Sequence, residues 1–503
     1  MKSLDLGVMG LYAVTLIWMG IHFARRPSRT QDFALGGRTL PTWAVLLSMS
    51  ATELSAATFI GVPHAAYTGD WSYLQLALGS LLGKLLLAWQ IIPLYYRTGV
   101  VTVYGFLADR FGSSPQKAAA LCFLLGRLLA SGARLFIASL ALAAVSDIPL
   151  ALAILGCGTI AALYTLTGGI KAVVWTDTLQ AGLLLFAALA VLATLVAAAP
   201  GGFSGLWDWA EGGGRTRILL LDPLLSLSDG RVLGTALMGA FFLTLASHAT
   251  DHDMVQRLLT TRNAKGGSQA LLGSALLNFP LTLLFLAIGT GLAYFYQSPP
   301  GYDISDEARI FPLYALHELP AGLRGLVFAG LFAAAMSSLD SAICAMATSW
   351  CHDIRPAALS DAAELKRMRL TSTVVAAGLI TAALAMSAYH AMLTEGANSN
   401  APNLVEFALS AMSIVYGALL GVFGLAFLSK TRGSQTSVCI ALAIGTLLGL
   451  LLFLHPVISG ESWIAWPWWI PIAATVTFAV AASSKRPRLL PQTDPSPATP
   501  SLQ

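Results

Sequence analysis

The chain has 503 residues, 56% of them hydrophobic and only 11% charged, with a mean hydropathy of +0.71. A soluble domain of this size needs far more charged surface. The net charge of +4 comes from lysines and arginines spread among short loops, which argues against a nucleic-acid-binding face and for loops beside a membrane.

Apolar stretches of about 20 residues, each long enough to cross a hydrocarbon core of roughly 30 Å, recur along the chain. They predict spans at 4–23, 40–66, 72–96, 120–146, 149–167, 175–199, 232–250, 268–296, 321–349, 370–392, 403–428, 435–455 and 463–483, thirteen in all. The expected fold class is therefore an all-α membrane protein. The first run, Leu4 to Phe23, is too long for the apolar region of a signal peptide and has no A-x-A site after it, so it reads as a true span. An amphipathic stretch near Thr102–Phe111 is expected at the surface. The loops 200–231 and 297–320 carry Gly, Pro, Trp and Asp and read as lids or surface helices. The segment after Ser483 is Pro/Ser/Thr-rich and predicts a disordered tail over 484–503, behind a single transmembrane domain over 1–483. The five cysteines, Cys122, Cys157, Cys344, Cys351 and Cys439, have no CxxC or metal spacing and read as small hydrophobes.

Thirteen spans put the termini on opposite sides. Placing the 24–39 loop in the cytoplasm gives that face twenty lysines and arginines, among them Arg25, Arg26, Arg29, Arg257, Arg486 and Arg488. The other face then has six: Lys2, Arg215, Arg217, Arg231, Arg309 and Arg324. The imbalance predicts the N-terminus outside and the C-terminus inside a bacterial-type inner membrane.

Six ionisable residues fall well inside the spans: Glu53, Lys84, Arg127, Arg134, Asp177 and Asp340. A charge at the bilayer centre costs at least ~2.5–3.5 kcal/mol on insertion scales, so each should face a partner or a cavity. Structural pairing between helices is the plainer reading, and it suits Lys84 and Arg127 best. Polar neighbours favour a functional reading for the other four. Span 2, SMSATELSAATFIGVPHAAYTG, concentrates Ser48, Ser50, Thr52, Glu53, Ser55 and Thr58 before Gly61 and Pro63. That composition suits a helix interrupted at mid-membrane, where freed carbonyls can bind a cation; a Ser/Thr packing face is the bland alternative. Span 7 ends in a comparable polar run from Thr244 through Ser247 to Asp253. Spans 2 and 7 lie five apart, as expected for inverted repeats over about 40–199 and 232–428. Span 9 gathers Ser337, Ser338, Asp340 and Ser341, hydroxyls and few full charges, as a monovalent cation prefers. His248 and His252 lack partners at metal-ligand spacing and read as capping or loop residues.

The segments DFALGGRTLP, TFIGVPHAAYTG, GGIKAVVWTDTLQ, DMVQR and AAAMSSLDSA, in that order, resemble the sodium:solute symporter family, whose fold is the inverted-repeat architecture of the leucine transporter. The resemblance covers nearly the whole chain. It implies a main sodium site made by the carbonyls of Ala51, Leu54 and Ala334 and the hydroxyls of Ser337 and Ser338. It also implies a second cation or proton site at Asp177 with Ser337 and Ser341, where Asp340 departs from the family by adding a carboxylate. Substrate contacts map to Glu53, Ser55, Thr58, Gln75, Thr244 and Ser247. Arg134 resembles a position that meets a carboxylate in carriers of acidic substrates, and Glu53 departs from the neutral groups of sugar carriers. Glu53 and Arg134, both near the membrane centre, are expected either to pair with each other or to meet the solute.

The function these readings predict is sodium-coupled symport of a small polar solute by alternating access, with Na+ as coupling ion and no other cofactor. The expected partners are the solute, sodium and the lipid bilayer, with no nucleic acid and no obligate protein partner. The rival mechanism is proton coupling through Asp177, Asp340 or Glu53. A transporter-like sensor should carry an output domain, and the short tail argues against it. An intramembrane enzyme needs a nucleophile–base pair or metal motif, and neither is read here.

Overall fold

Inside a bilayer every backbone N–H and C=O must be satisfied within the protein, so apolar segments of span length fold as helices. The computed structural model describes residues 2–24, 30–146, 148–298, 301, 309–357, 359–395, 404–459 and 463–485. Arg25, Arg26, Arg29, Arg486, Arg488 and the tail 486–503 lie outside the described residues.

The long helices are α1 (Ser3–Ala24), α2 (Thr42–Glu53), α3 (Ala56–Thr68), α4 (Leu74–Leu86, continued by a wide turn to Thr98), α5 (Ser113–Ser146) and α6 (Leu150–Ala198). They continue with α7 (Leu233–Leu245), α8 (Ala264–Phe295), α9 (Leu323–Ser349), α10 (Asp361–Glu395), α11 (Leu404–Leu428), α12 (Gln435–Ser459) and α13 (Trp469–Ala482). Among the described residues ten helical segments are long and apolar enough to cross a membrane, or eleven if the bent α2–α3 pair is one span. The expected spans 149–167 and 463–483 fall on shorter apolar helices, Leu150–Leu163 and Trp466–Ala482.

α6 is two helices fused at Gly169, whose φ of 61° is open to glycine at little cost. A side chain there would also strike Phe33, within 3.1 Å of where its Cβ would stand. α9 packs along α6 at the centre, and every residue from Ala333 to Ser349 is buried. α8 runs beside α2 and α3, α4 beside α7, and α5 beside α10 and α11; α11, α12 and α13 form one group. The α4–α7 contact is backbone-close because it uses glycines. A Cβ at Gly79 would fall 2.5 Å from the Leu237 carbonyl oxygen, and one at Gly83 2.9 Å from Thr244.

Two helices break at mid-depth, at the places the polar runs predict. α2 ends at Glu53, Leu54 and Ser55 leave helical geometry (ψ 66° and 174°), and α3 resumes with its axis bent by 55°. α7 widens into a π turn over Ala246–Thr250, stops at Asp251 (ψ 115°), and a short helix restarts over His252–Leu258. The Asp251 carboxylate caps this restart by accepting from the Asp253 N–H at 2.9 Å.

One face of the bundle, carrying most of the loop arginines, is tightly closed. Tyr95 donates to the Ala249 carbonyl (2.6 Å), Tyr104 to that of Thr250 (2.8 Å), and Thr102 to Asp353 (2.6 Å). Arg127, fully buried, pairs with Asp251 (3.2 Å) and Asp253, and Tyr416 donates to Asp251. Arg257 is a correction to the loop reading: it is buried, bound to Asp253 (3.1 Å) and 3.5 Å from Asp177. The helix that restarts at His252 folds back into the bundle and takes Arg257 with it.

Candidate functional site

A central cavity of about 180 Å³ lies where the broken ends of α2–α3 and α7 face each other. A second cavity of about 160 Å³, lined by Thr68, Asp70, Ser72 and Arg231, shares Tyr73, Leu76, Leu409 and Trp466 with it. The central cavity thus continues toward the face opposite the closed one.

Five of the seven expected substrate residues line the central cavity: Glu53, Thr58, Arg134, Thr244 and Ser247. Ser55 is buried at the helix break outside it. Gln75 is also outside it and fully buried, because its amide holds the 200–231 loop. Its Nε2 donates to the carbonyls of Arg231 (2.7 Å) and Ser72 (3.1 Å), and its Oε1 accepts from the Leu220 N–H (3.2 Å). Glu53 does not pair with Arg134. Lys84 on α4 donates to both its oxygens at 2.8 and 2.6 Å, and His248 Nε2 stands 3.1 Å away.

Arg134, on α5, is 6% exposed. Among the described residues its one side-chain hydrogen bond runs from Nη2 to the Met412 sulfur at 3.2 Å, and none accepts from the buried Nε and Nη1. Met412 and Leu409 stand on α11, the helix that closes this side of the cavity. Sequence reasoning missed Ser80, His248, Asn278 and Thr282 as lining residues. A signal was present for α8, where Ser274, Asn278 and Thr282 recur every fourth residue, one stripe of an otherwise apolar helix.

Three of the five expected sodium ligands, Ala51, Ala334 and Ser337, meet at the α2 break. With Ser55 out of the helix, the Ala51 carbonyl accepts instead from the Ser337 hydroxyl of α9 (3.1 Å), which also contacts the Ala334 carbonyl (3.4 Å). Next to it the Ser338 hydroxyl is fully buried and has no hydrogen-bond partner among the described residues. Leu54, at the break, lines the central cavity and links the two regions. Neutral oxygens with an orphaned buried hydroxyl among them fit a sodium ion.

Asp177 and Asp340 stand on facing helices, α6 and α9. Ser48 donates to Asp177 Oδ2 (2.6 Å), whose Oδ1 is buried without a protein donor. Asp340 accepts from the Ser341 N–H (2.7 Å) and the Thr176 hydroxyl (3.4 Å). The Ser341 hydroxyl turns back to the Ser337 carbonyl of its own helix (2.9 Å).

The profile of the family described as "SSF: Sodium:solute symporter family" matches residues 33–435. The chain belongs to the sodium:solute symporter family. This symporter is 27% identical over 441 residues to the sodium/sialic acid symporter NanT of Aliivibrio fischeri, covering 87% of this chain and 85% of that protein. It is 26% identical over 498 residues to the sodium/sialic acid symporter SiaT of Proteus mirabilis, with 94% and 95% covered. The substrate-bound outward-open structure of a Na+-coupled sialic acid symporter matches it with a TM-score of 0.83 at 23% identity, over 96% of this chain and 97% of that one. The fold is thus the all-α inverted-repeat transporter fold, broken at the second and seventh spans. The protein is a multi-pass membrane symporter coupled to sodium.

Proposed function

We propose that this symporter carries a small organic anion inward with sodium, and that Arg134 receives the anionic group. The observation that carries this reading is the Arg134 guanidinium, buried at the cavity wall with Nε and Nη1 unbonded to protein. A buried cation without a counter-charge is costly, and a carboxylate across its fork removes that cost. The relatives that carry sialic acid support the same class, so sialic acid is the first acid to test. The test is a thermal-shift screen of the purified protein against organic acids and neutral isosteres, with and without sodium. Stabilisation by neutral compounds alone removes the anion reading.

In this reading Ala51, Leu54 and Ala334 supply carbonyls and Ser337 and Ser338 hydroxyls to one sodium. The ion stabilises the α2 break against α9 and so shapes the cavity wall that Glu53 and Thr58 form. Solute and sodium enter from the open face while the Tyr95, Tyr104 and Arg127 contacts keep the other closed. A second cation or a proton belongs to Asp177, Asp340 and Ser341. Replacing Asp177 with Asn is then expected to lower the Hill coefficient for sodium to about one. An unchanged coefficient removes Asp177 from coupling. No catalytic step is part of the cycle.

The transport unit is a single domain over 1–483 with repeats over about 40–199 and 232–428, in a bacterial-type inner membrane. The distribution of basic residues supports an outer N-terminus and a cytoplasmic C-terminus, so the open face looks outward. In a background without the five native cysteines, Thr431→Cys should react with an impermeant thiol reagent only from the cytoplasmic side. Gly213→Cys should react only from outside. Both positions are exposed. Labelling of both from one side sinks this topology.

A further inference from the structure

Glu53 stands in the cavity wall, yet its carboxylate is already fully used. Lys84 donates to both oxygens, Ser274 to Oε1 (3.3 Å) and Asn278 Nδ2 to Oε2 (2.6 Å), and His248 Nε2 lies 3.1 Å from Oε1. A carboxylate offers about four lone-pair sites. Five contacts exhaust them, and Lys84 balances the charge. A solute group reaching for Glu53 would have to break a buried ion pair, which is strongly unfavourable.

Asn278 is in the opposite condition. An ionised carboxylate only accepts, so the amide edge facing Glu53 is the NH2 group, and Oδ1 is turned away from it. That Oδ1 is buried and meets no donor among the described residues, and Asn278 lines the same cavity as Arg134. An amide oxygen left without a donor is destabilising, and an N–H or O–H on a bound solute relieves it. The cavity therefore holds two unanswered polar groups of opposite kind, a cationic donor on α5 and a neutral acceptor on α8.

We propose that Asn278 discriminates among solutes by accepting a hydrogen bond from them, and that Glu53 is a positioning residue that locks the Asn278 amide in this orientation. This rests on the anion reading of the cavity and sharpens it. The solute is an organic acid that meets Arg134 through its carboxylate and carries a hydroxyl, amide N–H or ammonium group elsewhere on its body. Inorganic anions and plain alkanoates make only the first contact.

The test measures binding in saturating sodium by thermal shift, with butyrate, 4-hydroxybutyrate and 4-aminobutyrate as matched probes and sialic acid as a larger one. Wild-type protein should bind the donor-bearing four-carbon acids about tenfold or more tighter than butyrate, because a site built to hydrogen-bond a group rejects analogues lacking it. In Asn278→Ala this ratio should fall to about one, through loss of affinity for the two donor-bearing acids. Glu53→Gln should also reduce the ratio, an effect that a purely structural role would not produce. If Asn278→Ala folds poorly, Asn278→Leu, close to asparagine in shape but without an acceptor, serves, and the ratio must fall there too. A ratio preserved in the Asn278 variants overturns the proposal. So does equal binding of all three acids by wild type, and if Arg134→Gln then abolishes that binding, the anion reading survives. Acids bound alike by wild type and Arg134→Gln, or not bound at all, overturn both.

Discussion

Arg134→Gln is expected to weaken binding of the native solute by roughly 30- to 4,000-fold. Removing one member of a buried, hydrogen-bonded charge pair costs about 2–5 kcal/mol, and each 1.4 kcal/mol is about tenfold in affinity. The geometry allows the full effect. Nε and Nη1 have no protein acceptor to fall back on, and the Met412 sulfur is a weak partner for Nη2. Arg134→Lys keeps the charge but loses the planar fork, so it should fall between wild type and Gln for a carboxylate. Without solute the sign reverses: Gln removes an uncompensated buried charge, and the melting temperature of the solute-free protein should hold or rise. Isothermal titration and melting curves check both halves. Wild-type solute affinity in Arg134→Gln would show that the guanidinium serves only the packing of α5 against α11.

Replacing Ser337 and Ser338 together with alanine is expected to raise the sodium concentration for half-maximal stabilisation by about 5- to 150-fold. Two neutral ligands at ~0.5–1.5 kcal/mol each give this range. The Ser337 hydroxyl holds the freed Ala51 carbonyl at 3.1 Å, and the Ser338 hydroxyl has no partner of its own. Losing the second should therefore leave the sodium-free fold nearly intact while removing an ion ligand. Sodium-dependent melting separates the two effects, because ligand linkage acts only when sodium is present. An unchanged sodium dependence would dismiss this pair as ligands.

The class of the protein and the sites of its two helix breaks were legible in the sequence. Each follows from local composition. Transfer free energies add residue by residue, so hydropathy marks the spans, and a Ser/Thr-rich stretch with Gly and Pro marks where a membrane helix opens. The Ser337–Ser338 pair was legible for the same reason, one polar patch on a helix whose every residue from Ala333 to Ser349 is buried.

Which charge meets which was not legible. Glu53 and Arg134 line one cavity, yet Glu53 is bound to Lys84, and Arg134 faces sulfur. Gln75 carries a polar amide in a span, but that amide is turned to the 220 and 231 backbone. Arg257 belongs by sequence to a loop and by structure to the core, beside Asp177. Partner choice depends on how far each helix is rotated and shifted against its neighbours. Contacts such as those of Gly79 and Gly83 on α4 with Leu237 and Thr244 on α7 set that register, at sequence separations of more than 150 residues. The sequence by itself determined a membrane helix bundle with oxygen-rich breaks at mid-depth. Only the packing of those helices decided that Glu53 is neutralised by Lys84, that Arg134 keeps Nε and Nη1 without an acceptor among the described residues and that the Asn278 amide turns its Nδ2 to Glu53.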